Sequence, residues 1–406
     1  MNLPNFIANR IRNTKTESFS STVSRIGVGS VAVGVATLII SFSILYGFKK
    51  TITDKLFSLS YHLQVSKITL NQSFEETPIP LNTKFYQNYA QNPEIRHVQG
   101  VANKTGMLKS DSDFSGVLIK GVGRDFDWKM FNENLVEGRA IQKKDTSYSN
   151  EIIISRKLAN MLNIKLNDDA ILYFMQNPPR PRKIKVVGIY ETGLEEFDKN
   201  LIIADLALIQ KMNGWNNNTV GHFEVFLKNP ANIDLVADEV FGLIEQDQQV
   251  LKSTETYVQI FDWLQLLDRN IVIVFVLILV VSSFNMISIL LVMLMERTPM
   301  IGLLKALGST DFQVRKVFIY SGLWIIVRGL LWGNLIAIAF CLAQKYFKLI
   351  PLDAESYYMN YVPISWDWPV WILINLGTTI LIGLVIFIPT LIITRMKPVL
   401  AMKYKD

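Results

Sequence analysis

Cysteine, histidine and charge are all scarce in this chain. Of its 406 residues one is cysteine, Cys341, and three are histidine, His62, His97 and His222. A single cysteine excludes an intrachain disulfide and any zinc site built on cysteine. The histidines show no ligand spacing and read as ordinary surface or partly buried residues. There is no Walker A pattern, so the chain cannot cradle a nucleoside triphosphate by that route. Nucleophile elbows and His-Glu-x-x-His helices are absent as well. No catalytic, cofactor-binding or metal-binding residue can be nominated. Charged residues make up only 19% of the chain, and they are nearly missing from four long apolar stretches.

Those stretches are Ile26 to Phe48, Asn270 to Met295, Phe318 to Ala343 and Val370 to Ile393. Each reaches the ~20 residues that a helix needs to cross a hydrocarbon core about 30 Å thick. The first is longer than a signal-peptide core and lacks a small-x-small cleavage site, so it is expected to remain as an anchor. Small residues Gly27, Gly29, Ala32, Gly34 and Ala36 fill its first half and suit close helix packing. The expected fold is an α-helical membrane protein with four transmembrane helices, one plus three. A large extracytoplasmic α+β domain is inserted between the first and second.

Charge placement orients these spans. Arg10, Arg12, Lys15 and Arg25 precede the first; Arg297, Lys305, Arg315 and Lys316 lie between the second and third; Arg395, Lys397, Lys403 and Lys405 follow the fourth. The loop between the third and fourth carries Asp353, Glu355 and Asp367 against Lys348. The positive-inside rule puts both termini and the second connection in the cytoplasm, and explains the net charge of +6 without nucleic acid. The expected organisation is a cytoplasmic amphipathic helix (1–25, with Leu3, Phe6, Ile7 and Ile11 on one face), first span (26–48), extracytoplasmic domain (49–269), second span (270–295), cytoplasmic connection (296–317), third span (318–343), extracytoplasmic loop (344–369), fourth span (370–393) and cytoplasmic tail (394–406).

Within the domain, residues 63–68, 116–120, 151–154 and 184–189 read as strands. Residues 155–162, 205–212 and 233–244 read as helices. Between two strand candidates, Asn177, Pro178, Pro179, Arg180 and Pro181 suggest a stiff projecting hairpin tip, because closely spaced prolines do not continue a ladder. Either a plain turn or a docking element fits that pattern. Trp366-Asp367-Trp368-Pro369 reads as an interfacial anchor at the start of the fourth span.

The cytoplasmic connection is the most specific segment. Thr298 can cap a helix that begins at Pro299, and Gly308 can end it in a left-handed conformation. Ile301, Leu304 and Leu307 offer one apolar face, with Leu303 beside it; such a face needs a protein partner or lipid headgroups to cover it. Arg328, inside the third span, is read as snorkelling or pairing within the bundle, and Gly329 and Gly333 as a packing face.

The run from Ile301 to Gly308, followed by Arg315-Lys316-Val317-Phe318 and Ser321-Gly322-Leu323, resembles the hallmark of FtsX/MacB-type ABC permeases. The one-plus-three plan matches too. Phe6-Ile7-Ala8-Asn9-Arg10, Tyr46-Gly47-Phe48, Lys120-Gly121-Val122, Val187-Gly188-Ile189, Glu191-Thr192-Gly193, Phe197-Asp198, Tyr361-Val362-Pro363 and Lys397-Pro398-Val399 further resemble the lipoprotein-releasing (LolC/LolE-like) permeases of the Lol system.

That resemblance implies two permease chains, identical or paralogous, and two copies of a separate ABC ATPase that uses ATP and Mg. The permease itself has no enzymatic activity and resides in the bacterial inner membrane, its domain periplasmic. Pro299, Met300, Ile301, Leu303, Leu304, Lys305, Leu307 and Gly308 would couple to the ATPase. Lipoprotein cargo would enter from the outer leaflet at a collar of Ile44, Tyr46, Phe48, Phe261, Trp263, Leu264 and Leu267, then pass to a periplasmic lipoprotein carrier. The Asn177–Pro181 tip falls where one permease type carries a carrier-capturing hook, although it is shorter than a full hook. Met300 stands where the pattern usually has an acid. The alternatives are an FtsX-like mechanotransmission subunit acting on cell-wall hydrolases and a MacB-like peptide or drug exporter.

Overall fold

The computed structural model describes residues 19–69, 75–110, 113–142, 148–176, 180–353, 357 and 359–391. Along the chain run helix α1 (Phe19–Leu59), an inserted domain with helices α2 (Arg156–Leu162), α3 (Leu206–Asn213) and α4 (Ile233–Phe241), then α5 (Val258–Glu296), α6 (Thr298–Ala306), α7 (Asp311–Phe347) and α8 (Trp368–Thr390). Among the described residues, α1, α5, α7 and α8 are the helices long and apolar enough to cross a membrane. Helix α1 continues past its apolar stretch to Leu59, and α5 begins before its own at Val258. The amphipathic segment around Leu3–Ile11 and the tail at 394–406 lie outside the described residues.

The chain forms two compact units. The membrane unit comprises residues up to Lys50, Leu264–Pro351 and the chain from Tyr361 onward; the inserted domain comprises Thr51–Trp263 with Leu352–Asn360.

In the inserted domain, ten strands form one mixed sheet: β1 (Leu63–Lys67), β3 (Ile95–Lys109), β4 (Phe114–Val122), β5 (Leu135–Gly138), β6 (Glu151–Ser155), β7 (Asp169–Phe174), β8 (Arg180–Tyr190), β9 (Leu201–Asp205), β11 (His222–Leu227) and β12 (Gln248–Lys252). Strands β2 (Ile79–Pro80) and β10 (Thr219–Val220) pair separately. The large sheet runs β12-β1-β11-β3-β4-β9-β6-β8-β5, with β7 bridging β3 and β8. The β4–β9 and β6–β8 pairs are parallel and the others antiparallel.

Both faces of this sheet are apolar. Alternate residues of each strand point to opposite faces, so Ile152 and Ile154, Ile202 and Ala204, Ile184 and Val186 enter one core with α2, α3 and α4. Their neighbours Ile153, Leu201, Ile203, Val187 and Tyr190 enter a second core. The second core receives Leu56, Phe57 and Leu59 from the end of α1, and Tyr257, Ile260 and Phe261 from the chain that enters α5.

The membrane unit packs on small residues. A Cβ added to Gly329 would lie 2.6 Å from the Val31 side chain, and one on Gly333 would lie 2.7 Å from the Ala32 carbonyl oxygen. Helix α7 therefore reaches α1 nearly backbone to backbone, which confirms the packing face expected at these glycines. Asn334 and Asn375 exchange amide hydrogen bonds of 2.7 and 3.1 Å between α7 and α8. Thr310 and Gln313 form a capping box at the start of α7, and Asp367 caps α8.

Candidate functional site

Helix α6 occupies the connection between α5 and α7, as the sequence pattern predicts, but its cap and its exposed face differ. Arg297 is the N-cap residue, with no side-chain cap bond. The Thr298 hydroxyl instead donates to the Leu294 carbonyl, 3.1 Å away in the last turn of α5. Arg297 N–H still bonds Met293 C=O and Ile301 N–H bonds Arg297 C=O, so these two backbone bonds carry the ladder from α5 into α6. The C-terminus follows expectation: Gly308 has φ +90°, and Ser309 N–H reaches back to the Leu304 carbonyl, closing the helix with a left-handed glycine.

The apolar face divides in two. Ile301 is fully buried, and Met300 and Leu304 pack against the same membrane-unit core as Val314 and Phe318. Leu303 and Leu307 are 56% and 75% exposed. The expected outward stripe of Ile301, Leu304 and Leu307 is thus corrected: i, i+3 spacing turns Ile301 and Leu304 inward, while Leu303 and Leu307 are left outward, beside exposed Pro299 and Gly308. Met300 suits its half-buried apolar site, where an acid would need a partner. The Lys305 ammonium lies 2.8 Å from Asp311 in the first turn of α7.

A second concentration of polar residues lies at the root of the inserted domain, where α1 ends. Buried Lys120 on β4 donates to the Leu59 carbonyl at 2.7 Å, the last residue of α1, and to Glu224 on β11 at 2.6 Å. A cation at a helix C-terminus complements the helix dipole. Gln99 donates to the other Glu224 oxygen at 2.8 Å. His222 lies 2.8 Å from Glu76 through Nδ1 and 3.7 Å from Glu224 through Nε2. Burial alone would lower the His222 pKa, but Glu76 and Glu224 outweigh it and raise it to about 9. Burial would likewise raise that of Glu224, yet Lys120 and His222 hold it down to about 2. His62 and His222 are only 5% and 1% exposed. The reading of the histidines as surface or partly buried is therefore corrected for these two.

Several of the short family-like runs meet in pairs. A Cβ on Gly47 would lie 2.6 Å from the Pro363 carbonyl oxygen, so the Tyr46-Gly47-Phe48 and Tyr361-Val362-Pro363 runs touch and only glycine fits between them. The Asp198 carboxylate accepts from Thr192 N–H and hydroxyl and from Gly193 N–H, closing the Glu191-Thr192-Gly193 loop onto Phe197-Asp198. Burial raises the Asp198 pKa, with those hydrogen bonds and Lys55 opposing it.

The collar residues divide between the two units. In the membrane unit Ile44, Phe48 and Leu267 are half-buried, Tyr46 is exposed and Leu264 is buried. In the inserted domain Phe261 packs into the second core and Trp263 is half-buried. Between α1 and α5 the membrane unit holds a groove of about 530 Å³ lined by Ile26, Gly29, Val33, Gly34, Leu277 and Val281, with Ser30 and Asn285 hydrogen-bonded across it at 2.9 Å. It lies along the first half of the α1 apolar stretch, away from Ile44–Phe48.

Between β7 and β8, Asn177, Pro178 and Pro179 lie outside the described residues. Arg180 and Pro181 belong to β8, where Pro181 pairs with Tyr173. The proline is tolerated because β6 joins β8 only from Lys185 on, leaving this end with one neighbour. No group of His, Cys, Asp and Glu among the described residues could hold a metal.

Residues 27–241 match the family model of the MacB-like periplasmic core domain, and residues 272–398 match that of the FtsX-like permease C-terminal region. The lipoprotein-releasing system transmembrane protein LolE of Haemophilus influenzae is 22% identical over 91% of both chains. The corresponding LolC of Xylella fastidiosa is 21% identical over 97% of both. Among solved structures, the periplasmic region of MacB from Actinobacillus actinomycetemcomitans aligns at TM-score 0.34 and 13% identity, over 49% of this chain and 92% of that one.

Proposed function

Because this chain belongs to the FtsX/MacB-type ABC permeases, we propose that it is the membrane subunit of a transporter that lifts lipoproteins from the outer leaflet of the bacterial inner membrane. It releases them to a periplasmic carrier, and a separate ATPase supplies the energy from ATP and Mg. The observation that carries this reading is the end-to-end match, over nine-tenths or more of both chains, to relatives named as lipoprotein-releasing transmembrane proteins.

In this proposal both termini and α6 face the cytoplasm, as the basic residues around each favour. Leu303 and Leu307 seat in the ATPase, because they are the large apolar side chains α6 leaves exposed. Closure of the ATPase pair then moves α6, and with it α5 and α7, whose ends it shares. The active assembly holds two permease chains and two ATPase copies. Acyl chains of the cargo contact the collar around Tyr46 and Leu267 and the face between α1 and α5. Carrier contact belongs to the segment Asn177–Pro181.

A photocrosslinking residue at Tyr46 in the assembled complex tests this. It is expected to trap triacylated lipoprotein before ATP is added and to lose that adduct when ATP and carrier are supplied. A functional ATPase complex that never yields the adduct would contradict the reading.

A further inference from the structure

We propose that the outward face of α7 carries a binding site for the phosphate of an anionic phospholipid, built on Arg328 and Trp324, in the leaflet on the side of Arg315 and Lys316. This site is separate from the path proposed for lipoprotein and does not depend on it.

Arg328 lies ten residues beyond Phe318, roughly 15 Å into the apolar stretch. The inward side of α7 is set by Gly322, Gly329 and Gly333, where an added Cβ would meet Ile386, Val31 and Ala32 respectively. Arg328 falls on the other side, exposed among Val327, Leu331, Trp332 and Leu335. Among the described residues it makes no hydrogen bond or ion pair. Its guanidinium instead lies over the Trp324 ring, with the guanidinium carbon 3.8 Å from the ring centre.

A charged side chain facing hydrocarbon is costly unless an anion or water meets it. Helix side chains lean towards the N-terminus, and Trp324 is one turn nearer that end. The charge therefore sits closer to Arg315 and Lys316 than its Cα does, within reach of a headgroup drawn slightly inward. The ring covers one face of the guanidinium and leaves its N–H fork open at the edge, the geometry that matches phosphate. Exposed Tyr320 lies one further turn towards the surface, and Lys316 stacks over Phe312 at 4.5 Å beyond it. The outward face is thus cationic near one leaflet and uncharged further along, at Leu331, Trp332 and Leu335. That gradient fits a phosphate followed by acyl chains, and its positive sign selects an anionic over a zwitterionic lipid.

Native mass spectrometry of the full chain, loaded with phosphatidylglycerol or phosphatidylcholine, tests the site. The wild type is expected to retain phosphatidylglycerol about tenfold better, and Arg328→Gln to bring the two lipids near parity. Arg328→Lys, which keeps the charge but not the fork, should fall between them, as should Trp324→Leu; these two report even if Arg328→Gln does not fold. A photocrosslinker at Leu331 should label lipid, and inorganic phosphate should not displace the lipid. Equal retention of both lipids by the wild type, unchanged preference in Arg328→Gln, displacement by phosphate alone, or a Leu331 crosslink to a second protein chain would each overturn the proposal.

Discussion

In the inserted domain four ionisable side chains and a glutamine meet in the interior, whereas the membrane unit comes together through glycines set against Val31, Ala32 and Ile386. Each device suits the medium around it. In water, apolar burial drives collapse, and a buried polar cluster adds a demand for one register, here Lys120 opposite Glu224 and the end of α1. Within lipid the apolar surface gains nothing by leaving its surroundings, so close backbone approach and the Asn334–Asn375 amide pair do the joining. The two regions should therefore fail in different ways.

The largest expected effect is in the inserted domain. Lys120→Met leaves Glu224 buried without its ammonium partner and the Leu59 carbonyl without its donor. A loss of about 3–5 kcal/mol is expected. Hydrogen exchange on the full chain in detergent should show β4, β11 and residues 51–59 opening together. Unchanged protection there would mean that the buried pair does not hold the root.

Gly333→Val probes the other device. The added side chain meets the Ala32 carbonyl and Val35, and overpacking of this kind costs about 1–3 kcal/mol. Stability of the membrane unit should fall by that amount at any pH between about 6 and 9, because no ionisable group takes part in the clash. A marked pH dependence would blur the contrast between the regions.

Titration of His222 should have a smaller effect. Its pKa is raised from 6.5 to about 9, so its stabilising contribution is complete below pH 6.5 and fades as pH climbs through about 9. Glu224 works in the opposite direction: lowered from 4.5 to about 2, it contributes above pH 4.5 and loses that as pH falls through about 2. Stability of the inserted domain should decline between pH 6.5 and about 9, and His222→Gln should flatten the decline. An equally steep decline in the variant would assign it elsewhere. Smallest of all, Gly29→Ala meets nothing within 4 Å and should leave the membrane unit's stability unchanged.

The four spans and α6 were legible because period, length and charge are local signals. Gly308 ended α6 as read, since a positive φ favours glycine whatever surrounds it. The outward face of α6 was not legible, because Ile301, Leu303, Leu304 and Leu307 are all apolar and only the packing of α7 decides which turn inward. Lys120 and Glu76 lie far in sequence from His222 and Glu224; β3, paired with both β4 and β11, brings Lys120 to that pair, and a coil segment brings Glu76. A lone lysine in the strand candidate at 116–120 was the available hint. The Tyr46-Gly47-Phe48 and Tyr361-Val362-Pro363 runs were visible singly, but their contact across Gly47 was not.

Proteoliposomes containing this chain, its ATPase and a triacylated lipoprotein measure ATP-driven release through α6 most directly, with carrier outside and wild type compared with a Leu303→Asp, Leu307→Asp double variant. The wild type is expected to transfer lipoprotein to the carrier only with ATP, and the double variant to lose both transfer and ATPase association. ATP hydrolysis with all lipoprotein left in the membrane, or full transfer by the double variant, would contradict the account.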